Sequence, residues 1–448
     1  MLIKVFSAVY SSSAVPPAIA SLRFPFELKR DQLEATDAWV SNSCRGSVIF
    51  STGTGKTEIA WECARRAAEL SKPKTFRILF LVPRIVLISQ NVKRLLDYGI
   101  DESAIGVYYG ERKDAREITI GTYQSALNNY GLIRQADMVV LDEVHLVSET
   151  ASEYDRIFDI IVEDSKKAIL ALTATIDEKD SKYQTILTVA PPVKKYMIKE
   201  AVSDGRLARP VIKEVQVKFT DEEQKSYDDM SASIKDISRK LQAYDPIKMT
   251  KVLARGGARG SMAKTWFAAV RKRKEVLSST RQKLLKAVEI VKSHPGERIM
   301  IFSETIDSIQ QLHDMLETSG VSARTIHNGV RRQEREEILQ SWGRDYFPLL
   351  SVHTLEIGYD VPQVGIAIII ASTSNINQVA QRIGRVVRKA EGKEYAFVYI
   401  VYVNGTKDDN MLKVVKAAIE KGSDAIKATS RGRRPLRGQK TLDSAHPS

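Results

Sequence analysis

The stretch Ser51-Thr52-Gly53-Thr54-Gly55-Lys56-Thr57 limits what this chain can fold into more than any other feature. It lies between an apolar run, Val48-Ile49-Phe50, and an amphipathic run from Lys56 to Leu70, so the order is strand, tight glycine loop, helix. Glycines let backbone N–H groups close around phosphates, and the start of a helix favours their negative charge. Lys56 is placed to reach β and γ phosphates, and the Thr57 hydroxyl to ligate magnesium. Thr52, Gly53, Thr54, Gly55, Lys56 and Thr57 are therefore expected to bind ATP with Mg2+, although Phe50 stands where the strict pattern has its first glycine.

A strand feeding such a loop belongs in a parallel sheet covered by helices, an α/β fold. Apolar runs at Ile78 to Val82, Ile118 to Ile120, Met138 to Leu141 and Ala168 to Leu172 continue the pattern. A second series follows residue 285, at Arg298 to Phe302, Leu349 to Val352, Gly365 to Ile370 and Ala396 to Val403. A chain of 448 residues is too long for one ordinary core and suits two α/β domains with a connector.

Between the two series, Thr220 to Arg281 is charged and helical in pattern, with Gly256-Gly257 and Gly260 expected to break helices. It is expected to be a connector and not a third core. Lys251, Arg255, Arg259, Lys264 and Arg271-Lys272-Arg273-Lys274 interleave there with Trp266 and Phe267. Such a mixture either grips phosphates and stacks bases or is a solvated helical hairpin whose aromatics pack on a domain. Lys421 to Ser448, rich in Arg, Gly, Ser and Pro, has the composition of a disordered basic tail. Met1 to Ala20 loosely mimics a secretory signal, but Ser11-Ser12-Ser13 and Pro16-Pro17 interrupt it, so a strand and loop leading into the first domain are expected.

Met138-Val139-Val140-Leu141 ends in Asp142-Glu143, where a sheet downstream of a phosphate loop presents its catalytic acids. Asp142 would hold the magnesium, and Glu143 would orient and deprotonate the water that attacks the γ-phosphate. Charge adds a partner: Lys and Arg exceed Asp and Glu by 13, with a pI near 9.4, which favours a polyanion. Cys44 and Cys63 form no zinc-binding pair, and a reducing cytoplasm is expected. No run approaches the ~18 apolar residues of a membrane-spanning helix.

At these residues a resemblance becomes plain, since Asp142-Glu143-Val144-His145 resembles the DExH box of superfamily 2 helicases. Leu28 to Gln32, with Phe26 before it, is similar to that family's adenine-recognising segment, which implies that Gln32 reads the base. Leu81-Val82-Pro83-Arg84 with Gln90 resembles motif Ia, and Thr122-Tyr123-Gln124-Ser125 resembles motif Ib. Ile301-Phe302-Ser303 resembles motif IV, and Thr354 to Pro362, with Gly358 and Asp360, resembles motif V. The resemblance implies that Arg84, Thr122, Gln124, Ser303 and Thr354 touch the nucleic-acid backbone, and that Gly358, Asp360 and Gln381 lie on the ATP side. Thr173-Ala174-Thr175 resembles motif III, which implies that Thr173 and Thr175, with His145, couple hydrolysis to strand movement. Gln381 to Arg388 is similar to the arginine-finger helix, so Arg385 and Arg388, three apart, are expected to share one helix face aimed at the γ-phosphate.

The resemblance implies two tandem RecA-like domains: residues 1–23 as lead-in, 24–200 as the ATP-binding domain, 201–284 as connector with a basic insertion, 285–410 as the second domain, and 411–448 as helix and tail. Gln381 and the segment Lys199 to Pro210 resemble the branch of excision-repair helicases, restriction motors and phage branch-migration helicases. The expected function is ATP-dependent helicase or translocase activity on single-stranded, forked or branched DNA, in repair, recombination or replication. An RNA helicase and an ATP-switched nucleic-acid scaffold are the alternatives.

Overall fold

The computed structural model describes residues 16–146, 154–174, 176, 183–342, 344–345, 347–352, 364–371, 376–390 and 392–420. The first apolar series builds one sheet. Its strands are β1 (Arg45–Phe50), β2 (Ile78–Val82), β3 (Ile105–Tyr109), β4 (Arg112–Lys113), β5 (Ile118–Thr122), β6 (Met138–Leu141), β7 (Ala168–Thr173) and β8 (Pro192–Tyr196). They lie in the order β4-β3-β5-β2-β6-β7-β1-β8, all parallel except the pairing of β3 with β4. Alternation along each strand explains why both faces are covered. Val48, Phe80, Val140 and Leu170 enter one core, while Ile49, Leu79, Val139 and Ile169 enter another.

The second sheet takes β9 (Arg209–Val217), β10 (Ile299–Ser303), β11 (Arg324–Ile326), β12 (Leu349–Val352), β13 (Ile366–Ile369) and β14 (Tyr395–Val403) in the parallel order β11-β12-β10-β13-β14-β9. These are the two RecA-like sheets. One buried cluster runs from Val48 and Phe50 through Ile198 and Leu207 to Val387 and Val398, so the domains share a continuous core.

Three local expectations are corrected. Arg209–Val217, assigned to the connector, is the edge strand of the second sheet, paired with β14 over its whole length. It was hidden because an edge strand buries little and reads as polar. The region 221–278 is not coreless: helices Asp221–Leu241, Pro246–Ala254 and Gly257–Ser278 enclose Ile237, Leu241, Met249, Ala263 and Trp266. Gly256 and Gly257 do separate two helices with φ of +69° and +63°, but Gly260 sits inside the second. A Cβ at Gly260 would come within 3.3 Å of the Leu253 carbonyl, so this glycine serves close helix packing. The lead-in, expected as strand and loop, forms a 3-10 turn at Ala18–Ser21 among its described residues, and Ile19 and Leu22 are buried in the first domain's core. Residues 1–15 and the basic tail 421–448 lie outside the described residues.

Candidate nucleotide cleft and nucleic-acid edge

Parallel strands deliver their following loops to one edge of the sheet, and β1, β6 and β7 are neighbours in space. The loop after β1 turns through Gly53 and Gly55, both at φ +88°, a left-handed conformation that suits glycine. Gly55 caps helix Lys56–Ser71. The Gln32 amide nitrogen donates to the Gly55 carbonyl (3.2 Å) and the Thr54 carbonyl (3.4 Å), while its oxygen accepts from Lys29 N (2.8 Å). A Cβ at Gly55 would collide with that amide. Gln32 is thus placed to brace the phosphate loop, with both polar ends on backbone. Phe26 remains 48% exposed, its ring beside Phe24 and edge-on to Tyr98.

Lys56 Nζ donates to the Phe50 carbonyl (3.2 Å) and lies 3.6 Å from Glu143 Oε1. Glu143 holds a left-handed φ of +48°, a conformation that costs a non-glycine residue about 1–3 kcal/mol. Burial and the neighbouring Glu143 carboxylate push Asp142 up to about 7, against the pull of Lys56. Burial also opposes ionisation of Glu143, but Lys56, His145 and Arg385 together hold its carboxyl below the ordinary value. The buried Asp142 carboxylate and the partly buried Glu143 beside it, with the Thr57 hydroxyl in the same cleft, form an oxygen-donor set that fits a divalent magnesium ion.

Behind Glu143, His145 Nδ1 lies 3.5 Å from Glu143 Oε2 and 3.0 Å from Thr173 Oγ1, joining two of the residues expected to couple hydrolysis to movement. His145 Nε2 meets the Gln381 amide nitrogen at 3.2 Å, across the domain boundary. Gln381, expected on the ATP side, lines the cleft and also bridges to the first domain through His145. Thr175, Thr354, Gly358 and Asp360 lie outside the described residues.

Helix Ile376–Val386 carries Arg385, 5% exposed, to the cleft wall. Arg388 does not share its face, because the helix ends at Val386. The chain then leaves to pair with the interdomain segment: Ala208 N donates to the Val387 carbonyl (2.8 Å), and Leu207 bridges to Arg388. Arg388 still lines the cleft from that position. Contact between domains is close enough to require glycine on both sides. A Cβ on Gly384 would stand 2.7 Å from Thr52 Cβ, and one on Gly53 would stand 2.9 Å from Arg388 Cγ. Arg382 turns away, buried against Glu304 (3.3 Å) and the Phe302 ring.

On the same edge of the first sheet, Arg84 follows β2, while Thr122 ends the neighbouring β5 and Gln124 follows it. Arg84 and Gln124 are exposed, whereas Thr122 caps a helix through its hydroxyl, accepting from Ser125 N (3.2 Å). Ser303 is a correction. Its hydroxyl is wholly buried against Ser308, so it supports the following turn and offers nothing to a strand. Trp266 is likewise buried, its Nε1 donating to Ser238 Oγ (2.9 Å), and Phe267 packs beside it, which removes Trp266 from base stacking.

Two cleft residues were missed. Arg94 donates to Thr57 Oγ1 (3.1 Å) from helix Ile85–Asp97; its spacing of four from Gln90, which also lines the cleft, was the available signal. Arg206 donates to the Thr54 carbonyl (2.7 Å) from the segment between the sheets; it lies in the Lys199 to Pro210 stretch that the sequence singles out, but nothing there marks this arginine as reaching the phosphate loop.

Comparison with known proteins agrees with this geometry. Residues 25–178 match the family model for the type III restriction enzyme res subunit, and residues 280–390 match the helicase conserved C-terminal domain. The chain is 30% identical over 404 residues to a DNA 3'-5' translocase XPB2 of Sulfurisphaera tokodaii, covering 87% of this chain and 86% of that protein. It is 25% identical to a DNA 3'-5' helicase XPB of Mycobacterium tuberculosis, covering 83% of this chain but only 59% of that protein. The helicase domain of Pyrococcus furiosus Hef shares the fold, with a TM-score of 0.56, 16% identity, and coverage of 86% of this chain and 99% of that one. The chain belongs to the ATP-dependent helicases of superfamily 2, in the branch that contains the XPB-type and restriction-enzyme motors.

Proposed function

We propose that this protein is a DNA motor that hydrolyses ATP in the cleft between its sheets and tracks 3'-5' along DNA. The observation that carries this reading is the convergence of Lys56, Asp142 and Glu143 from one domain with Arg385 and Arg388 from the other around a single cleft. Magnesium, held by Thr57 and Asp142, would neutralise charge on the phosphates and shield the leaving group. Lys56 binds the β and γ phosphates. Glu143, held ionised by Lys56, His145 and Arg385, orients a water and takes its proton. Arg385 and Arg388 meet the charge developing on the γ-phosphate. Gln381 and His145 carry closure to Thr173, and the exchange of contacts at Arg84, Thr122 and Gln124 moves the strand.

DNA is favoured as the track by the XPB-type relatives, which are DNA 3'-5' enzymes by name. The exposed Lys251, Arg255 and Lys264 of the helical insertion supply a basic surface that supports action on forked or branched DNA, including branch migration or fork remodelling. The test is ATP hydrolysis with single-stranded DNA, duplex DNA, a four-way DNA junction and RNA, with Lys56→Ala as control. Stimulation by DNA that vanishes in Lys56→Ala is expected, with the junction the strongest stimulant if branch migration is the task. Stimulation by RNA alone overturns the DNA assignment, and hydrolysis indifferent to every nucleic acid overturns the motor.

A further inference from the structure

Arg206 stands where three parts of the molecule meet. Its backbone belongs to the segment that leaves helix Ile198–Ser203 of the first domain and enters edge strand β9 of the second. That segment is fastened to the chain just past the arginine helix by three links: Lys389 Nζ donates to the Gly205 carbonyl (2.9 Å), Leu207 bridges to Arg388, and Ala208 N donates to the Val387 carbonyl (2.8 Å). The side chain runs the other way. Its Nη2 donates to the Thr54 carbonyl in the phosphate loop (2.7 Å), and its Nε lies 3.4 Å from the buried Asp31 carboxylate. Asp31 opens the helix that also carries Gln32, the residue bracing Gly55. Arg206 faces the nucleotide cleft on one side and a second cavity walled by Lys29, Lys194 and Lys199 on the other.

We propose that Arg206 is a positioning residue that couples the phosphate loop to the interdomain hinge, so that nucleotide binding sets how the second domain lies against the first and hence the grip on DNA that the two share. The Thr54 carbonyl belongs to the loop that must settle around phosphates. Any displacement of it pulls on a segment whose other attachments are Val387, Arg388 and Lys389. A guanidinium suits this task because its rigid fork can hold a carbonyl and a carboxylate together, which an ammonium on a flexible stem cannot do with equal definition. Asp31 serves as counter-charge: burial pushes its carboxyl up and Arg206 opposes that. Removing Arg206 alone would leave a buried carboxylate uncompensated behind the phosphate loop.

This inference rests on the nucleotide reading of the cleft, and the experiment separates the two. A fluorescent single-stranded DNA is titrated with the protein, with and without a non-hydrolysable ATP analogue. Binding of a fluorescent ATP analogue without DNA is measured in parallel on wild type, Lys56→Ala, Arg206→Ala, Arg206→Lys and the double variant Arg206→Ala with Asp31→Asn. Thermal unfolding checks that each variant is folded. For wild type the analogue should change DNA affinity by a factor within the usual coupling range, about 5- to 150-fold. In Arg206→Lys, and in the double variant that leaves no buried charge, the change should fall to within about twofold while nucleotide affinity without DNA stays within a few-fold of wild type. Coupling that survives in the double variant overturns the proposal, as does loss of nucleotide binding in folded Arg206→Lys, which would make Arg206 a simple nucleotide ligand. Wild type that binds the nucleotide no better than Lys56→Ala overturns the nucleotide reading and this inference with it.

Discussion

The nucleotide cleft and the helical insertion are both rich in basic side chains, and they use them in opposite ways. In the cleft, Lys56 and Arg385 are buried and face Glu143 and Asp142. In the insertion, Lys251, Arg255, Lys264, Arg271 and Lys272 stand in solvent around a small apolar core. A buried charge aimed at a fixed partner is poorly screened and acts through geometry. An exposed one is screened by salt and acts through number. One region is therefore expected to behave as a machine part and the other as an adjustable electrostatic surface.

The sharpest way to break that contrast is Arg385→Ala, which should lower kcat about 10³- to 10⁵-fold while fluorescent-nucleotide binding persists. A loss below tenfold would mean that Arg385 does not meet the reacting phosphate. Next in size, Trp266→Ala should destabilise the insertion by about 3–5 kcal/mol, the usual cost of removing a buried aromatic. Hydrogen exchange should show opening confined to 221–278, with nucleotide affinity intact; global unfolding would show that the insertion is no separate unit. Gly384→Val places atoms against Thr52 and should oppose domain closure by about 1–3 kcal/mol, the ordinary cost of overpacking. Its expected signature is a fall in kcat with little change in melting temperature, since the clash exists only between domains. The smallest effects belong to Lys251→Ala, Arg255→Ala and Lys264→Ala. Each should flatten the slope of log affinity against log salt by about 0.7 on single-stranded DNA or 0.9 on duplex. A change in base preference from any of them would contradict a purely electrostatic surface.

The sequence marked the interior strands because they are buried on both faces and read as unbroken aliphatic runs: Ile78–Val82, Met138–Leu141 and Leu349–Val352 were located to the residue. It missed β3, β4, β8, β9 and β11, which lie toward the sheet edges, are partly or wholly exposed and carry no such run. Site residues followed the same division. Lys56, Thr57, Asp142 and Glu143 sit in short local patterns whose chemistry fixes residue type and spacing. Arg94, Arg206, and the bridge from His145 to Gln381 depend on which segments become neighbours, and no local pattern carries that. Ser303 and Trp266 show the reverse case: the motif IV resemblance implied that Ser303 touches nucleic acid, the basic and aromatic mixture around Trp266 left base stacking open, and packing turned both inward.

The sequence by itself therefore determined that two parallel sheets form, that one strand of the first leads into a phosphate loop and another into two acids, and that an arginine-bearing segment follows in the second. These depend on hydrophobic periodicity and on chemistry confined to a few consecutive residues. Only the tertiary structure decided that helix Ile376–Val386 stops before Arg388, that Gly384 and Gly53 let the domains touch, and that Arg206 spans from hinge to phosphate loop. Those contacts join residues more than 150 positions apart, and their existence depends on the packing of two whole domains against each other.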